Sequence, residues 1–153
     1  MSTLLHIERL NEVVRTLLES GATSVLDLGC GPGELLLRLR EHPQFTRLLG
    51  IDMDERALAD ARAALGLNWL QPDPRLSVRL GSFEEVDAEL TGFDAAVMLE
   101  TIEHIAPDHL PRVERAVFAG MHPRLLLVTT PNQEYNRAAR HGRRAQTPSR
   151  SPL

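Results

Sequence analysis

Residues 24–33 read Ser24-Val25-Leu26-Asp27-Leu28-Gly29-Cys30-Gly31-Pro32-Gly33. An apolar run of strand length passes directly into a loop with glycine at every second position. Glycine lets the backbone turn tightly and lets a ligand approach the peptide planes. Leu35, Leu36 and Leu39 follow at helical spacing, so the loop opens a helix. A strand, a glycine turn and a helix make the opening unit of a parallel α/β sheet.

The same alternation extends outward from this stretch. Upstream, Leu4, Ile7, Leu10, Val14, Leu17 and Leu18 mark an amphipathic helix that Gly21 stops. Downstream, positions 48–52 read as a second strand, and positions 55–65 as an alanine-rich helix closed by Gly66. After a loop holding Pro72 and Pro74, positions 76–80 give a third strand and positions 94–99 a fourth. A helix from about Asp108 to Phe118 uses Leu110, Val113 and Val117, with Asp108 as its N-cap. Positions 125–129 give a fifth strand. Strands this continuously apolar, separated by helices, predict a parallel sheet covered on both faces. Ligands of such sheets bind beyond the carboxyl ends of the strands. The polar clusters fall there: the glycine loop, Asp52, Ser82, Glu100 to His104, and Thr130 to Asn132.

At 153 residues the chain suffices for one core and falls short of two. One domain is expected over residues 1–136. Residues 137–153 hold five arginines, two prolines and one large aliphatic side chain, a composition expected to stay disordered. No apolar run reaches about 18 residues, so no membrane span is expected. The chain starts on an amphipathic pattern rather than a signal peptide's apolar block, and cytoplasmic residence is expected. Cys30, the single cysteine, excludes an internal disulfide and reads as a small buried filler. All seventeen basic residues are arginine. Residues 1–133 carry twelve of them against twenty acidic residues, a formal −8. So acidic a body argues against broad phosphate-backbone binding but not against reading one end of a nucleic acid.

Leu99-Glu100-Thr101-Ile102-Glu103-His104 follows the fourth strand. On one helical turn Glu100 meets Glu103 at i+3 and His104 at i+4, which gathers two carboxylates and an imidazole on one face. Such a face is either a solvated acidic helix start or a cation site. Carboxylates with an imidazole suit Mg²⁺ or Mn²⁺, and the nitrogen leans towards manganese.

The glycine loop is not a dinucleotide fingerprint, because Glu34 stands where its third glycine belongs. Its G-x-G-x-G spacing resembles motif I of class I S-adenosylmethionine-dependent methyltransferases. Asp52 matches the acidic residue that accepts both ribose hydroxyls in that fold, and Gly81-Ser82-Phe83 matches the segment that contacts adenine. The run Gly92-Phe93-Asp94-Ala95-Ala96-Val97, then Glu100-Thr101-Ile102-Glu103-His104, then Val128-Thr129-Thr130-Pro131-Asn132-Gln133-Glu134-Tyr135-Asn136, is similar to the Hen family in its bacterial branch. These are small-RNA 3′-terminal ribose 2′-O-methyltransferases, and the likeness covers about residues 4–136.

The resemblance implies a Rossmann-like fold and a cofactor, S-adenosylmethionine, contacted by Asp27, Gly29, Gly31, Gly33, Asp52 and Ser82. It implies Mg²⁺ or Mn²⁺ on Glu100, Glu103 and His104, which are then the catalytic residues. The substrate implied is an RNA 3′ end with free 2′- and 3′-hydroxyls, and an RNA kinase–phosphatase repair protein is the implied partner. The family's fourth metal ligand is a histidine in a segment this sequence lacks, which leaves only His141 in the tail. The fold's closing antiparallel hairpin is expected to be missing. A small-molecule O-methyltransferase and a non-catalytic cofactor-binding remnant are the competing readings.

Other candidates carry less. Pro131-Asn132 resembles the N-P-P-Y motif of amino-group methyltransferases, but that motif follows strand four, where Glu100 stands instead. His109, just before Pro111, reads as a surface histidine, and His6, His42 and His122 have no partner pattern. Tyr135 is available to stack on a terminal base or to pack. Trp69 reads as a partial core cover.

Overall fold

β1 (Ser24–Leu28) is buried at all five positions, as a strand covered on both faces must be. The computed structural model describes residues 3–67, 73–99, 104–129, 133–138 and 149–150. β2 (Arg47–Asp52) and β4 (Ala95–Leu99) flank β1 in parallel register, with β3 (Leu76–Leu80) outside β2 and β5 (Leu125–Thr129) outside β4. Successive side chains of one strand feed opposite cores. Val25 packs with α1 (Leu4–Ser20), α2 (Glu34–Leu39) and α3 (Glu55–Leu65), through Leu17, Leu36, Leu58 and their neighbours. Leu26 and Leu28 pack on the other face with Phe93, Val113, Val117 and Met121. The predicted α/β architecture with five parallel strands is the observed one.

The sheet then continues where it was expected to stop. β6 (Gln133–Ala138) runs antiparallel along the whole of β5, and β7 (Ser149–Arg150) pairs antiparallel with β6, giving the order β3-β2-β1-β4-β5-β6-β7. Only three residues separate Thr129 from Gln133, and a parallel crossover needs a dozen or more. A strand that follows so closely must return beside the one it left. The polar run Gln-Glu-Tyr-Asn-Arg-Ala carries no alternating apolar pattern, and it is the backbone ladder with β5 that makes it a strand. β6 also crosses the domain boundary expected at position 136.

The helix after β4 differs as well. α4 (Leu110–Arg115) begins with His109, not Asp108, at its N-cap position. A turn in which the His109 N–H donates to the Ala106 carbonyl at 2.8 Å precedes it, and Pro111 falls in its first turn. The chain continues through a π-helical turn, Ala116–Met121, three residues past the expected end. Val117 and Met121 are both buried, so the extension seals the second core. His122 closes it in the left-handed region at φ 53°. Among the described residues no helix is long and apolar enough to cross a membrane.

Candidate active site

The glycine loop is held in place by its neighbour strand. The N–H groups of Gly29 and Cys30 donate to the Ile51 carbonyl at 2.8 and 2.9 Å, so the loop is pinned to the end of β2. Gly29, Gly31 and Gly33 lie at φ 82°, 52° and 86°, a region that side chains disfavour. β2 contributes a second requirement. A Cβ at Gly50 would stand 2.7 Å from Leu36 Cδ1 and 2.8 Å from Cys30 Cβ, so loop and helix close over this strand only because the position is glycine.

Asp52 at the end of β2 completes the cradle. Its Oδ2 accepts the Gly31 N–H and its Oδ1 the Asp54 N–H, both at 2.9 Å. Each oxygen keeps capacity for one further donor, the demand a pair of vicinal hydroxyls makes. Asp27, 2 % exposed, stands behind the loop. Burial, and then the charge of Asp52, raises its pKa to about 7. Burial also pushes the Cys30 thiol far up, which makes it an inert filler.

These groups line a cavity of about 630 Å³ at the carboxyl ends of the strands. That volume suits a nucleoside-sized ligand. Asp27, Gly29, Gly31, Asp52 and Ser82 all line it. Gly33 does not; it turns the chain into α2 and packs against Leu65, 3.2 Å from where its Cβ would be. On the facing wall stand Leu99, His104, Ile105, Ala106, His109 and Val113. His104 therefore shares the cavity with the glycine loop. Glu100 and Glu103 lie outside the described residues, as do Trp69, Thr130 to Asn132 and His141. Among the described residues no group of three or more His, Cys, Asp or Glu is placed to hold a metal. No arginine among them lines the cavity, so its fixed charge is that of carboxylates and suits a cationic ligand.

Four polar side chains join the site that no local sequence pattern paired. His6 Nε2 lies 3.3 Å from Glu34 Oε1, across 28 residues, and both line the cavity. Glu84 Oε1 lies 3.0 Å from His109 Nδ1 and 3.8 Å from Arg112 Nη1. His109, expected to be a surface histidine, is a half-exposed member of the wall. Its partner lies 25 residues away on the loop after β3, and no local pattern could have paired them. His42 instead packs edge-on against buried Phe45, with 6.2 Å between ring centroids.

Comparisons with known proteins agree on one relationship. A family model described as a methyltransferase domain matches residues 25–124. A small RNA 2′-O-methyltransferase of Arabidopsis thaliana is 33% identical over 135 residues, covering 84% of this chain and 14% of that protein. The protein of that description from Rattus norvegicus is 37% identical over 118 residues, covering 73% of this chain and 30% of its own length. The chain thus spans less than a third of either relative. The crystal structure of the methyltransferase domain of bacterial CtHen1 superposes with a TM-score of 0.75 at 35% identity, covering 81% of this chain and 65% of that one.

Proposed function

We infer, because this chain belongs to the methyltransferase-domain family and is homologous to the small RNA 2′-O-methyltransferases, that it methylates the 2′-hydroxyl of an RNA 3′-terminal nucleotide, using S-adenosylmethionine and a divalent cation. The observation that carries the reading is the shared cavity: His104 on one wall, and the glycine loop with Asp52 on the other. The cofactor supplies an electrophilic methyl on a sulfonium. Asp52 would take its ribose hydroxyls, the backbone of Gly29 to Gly31 would hold its amino-acid end, and Asp52, with Asp27 once ionised, would complement its positive charge.

Glu100, Glu103 and His104 have the donor chemistry for Mg²⁺ or Mn²⁺, which lowers the pKa of a hydroxyl it binds. With a cation bound, these residues would receive the hydroxyls of the terminal ribose. A need for two vicinal hydroxyls restricts action to a free 3′ end, which requires no basic groove and agrees with the acidic body. An RNA kinase–phosphatase repair protein, which would create such ends, is the partner this reading implies.

The test is transfer of labelled methyl, with Mn²⁺ present, to RNAs ending in 2′,3′-hydroxyls, in a 3′-phosphate, or in a 2′-deoxyribose. Labelling of the first alone is expected. Equal labelling of all three would remove the terminal ribose as the acceptor. Binding of the cofactor without turnover on any of them would favour the remnant reading.

A further inference from the structure

The order of the strands dictates where the parts of the ligand fall. The glycine loop of β1, Asp52 of β2 and Ser82 beyond β3 stand at adjacent strand ends, about 4.8 Å apart per strand. With the amino-acid part on β1 and the ribose on Asp52, the base lies at the end of β3, beside Ser82 and Phe83. This placement rests on the cofactor reading proposed above.

The polar groups at that end are few and already ordered. Ser82 Oγ accepts the Glu84 N–H at 3.1 Å, which turns the loop and presents the Glu84 carboxylate. His109 reaches this loop from the start of α4, with Nδ1 3.0 Å from Glu84 Oε1. An ionised carboxylate only accepts, so Nδ1 carries the proton. In the neutral ring Nε2 is then an acceptor, and it is the nitrogen left for a ligand in the cavity that His109 lines. An adenine presents its 6-amino group as the donor on its outer edge. We propose that His109 is a base-recognition residue of this cavity: Glu84 holds its Nδ1–H, and its Nε2 accepts a hydrogen bond from the 6-amino group of the ligand's adenine.

Calorimetry on the 153-residue chain, titrated with S-adenosylhomocysteine and separately with S-inosylhomocysteine, tests this. The inosyl compound carries a 6-oxo acceptor in place of the amine. The natural chain is expected to prefer the adenosyl ligand by about tenfold. His109→Phe keeps the ring's bulk and removes the acceptor, and should bring the two affinities within about twofold of each other. His109→Gln, which restores an acceptor oxygen, should recover part of the preference. An unchanged preference in His109→Phe, or an equal loss for both ligands, would show that His109 only packs and would overturn the assignment. If the natural chain binds neither ligand, the cofactor reading fails, and this assignment fails with it.

Discussion

On the wall formed by β1, β2 and β3, backbone groups do most of the holding. Gly29 and Cys30 donate to Ile51, Gly31 and Asp54 donate to Asp52, and the absence of a side chain at Gly50 lets loop and strand close. On the facing wall, from His104 to Val113, the ligand-facing chemistry is on side chains: His104, and His109 braced by Glu84. The first wall is a fixed frame that fails if its backbone shifts. The second can change its chemistry residue by residue with the frame intact. The backbone frame and the side chains that face it are therefore separable parts of one cavity.

The strongest way to break that separation is Glu103→Ala. Activity dependent on metal should fall by more than about a hundredfold, beyond what the loss of an outer metal-site partner costs. Affinity for S-adenosylhomocysteine, measured by calorimetry, should change by less than about twofold if the walls are independent. A large loss of cofactor affinity would contradict the comparison. Gly50→Ala attacks the other wall. Its new Cβ must displace Cys30 or Leu36, an overpacking that costs about 1–3 kcal/mol and should lower the urea midpoint. Because Cys30 sits in the loop, cofactor affinity should weaken along with stability.

The smallest effect concerns Asp27. Its folded pKa, near 7, lies above the ordinary value of 3.8, so between these values the folded chain binds the extra proton. Its contribution is present at low pH and lost as pH rises through 7. In the chain without ligand, the stability difference between natural protein and Asp27→Asn should move by about 1 kcal/mol against the natural protein from pH 6 to pH 7. A pH-independent difference would show that the carboxyl is ionised throughout this range.

Legibility in the sequence followed the range of the forces involved. β1, α3, β3 and β5 begin and end where the apolar runs, the glycine stops and the helical spacing placed them. Each is bounded by a local signal, such as Gly66 after α3 or the glycine loop after β1. α4 was misjudged at both ends, because a turn competes with Asp108 at its start and burial of Met121 extends it. β6 was missed because a polar strand leaves no apolar periodic trace. Asp52 and the glycine loop were legible from their places at strand ends. His6, Glu34, Glu84 and His109 were not, since each becomes a cavity residue only through a partner 25 or more positions away.

The sequence alone determined a parallel α/β sheet, a glycine loop at its first strand end, and a set of ligand-type residues after its fourth. Apolar periodicity and the conformational demands of glycine act within a few residues, so they are written locally. Tertiary structure decided which of those residues share a cavity, that Asp27 is buried deeply enough to hold a proton near neutrality, and that half-exposed His109 meets Glu84 on the cavity wall. Those outcomes depend on desolvation and on contacts between distant segments, which exist only once the sheet has brought its strand ends together.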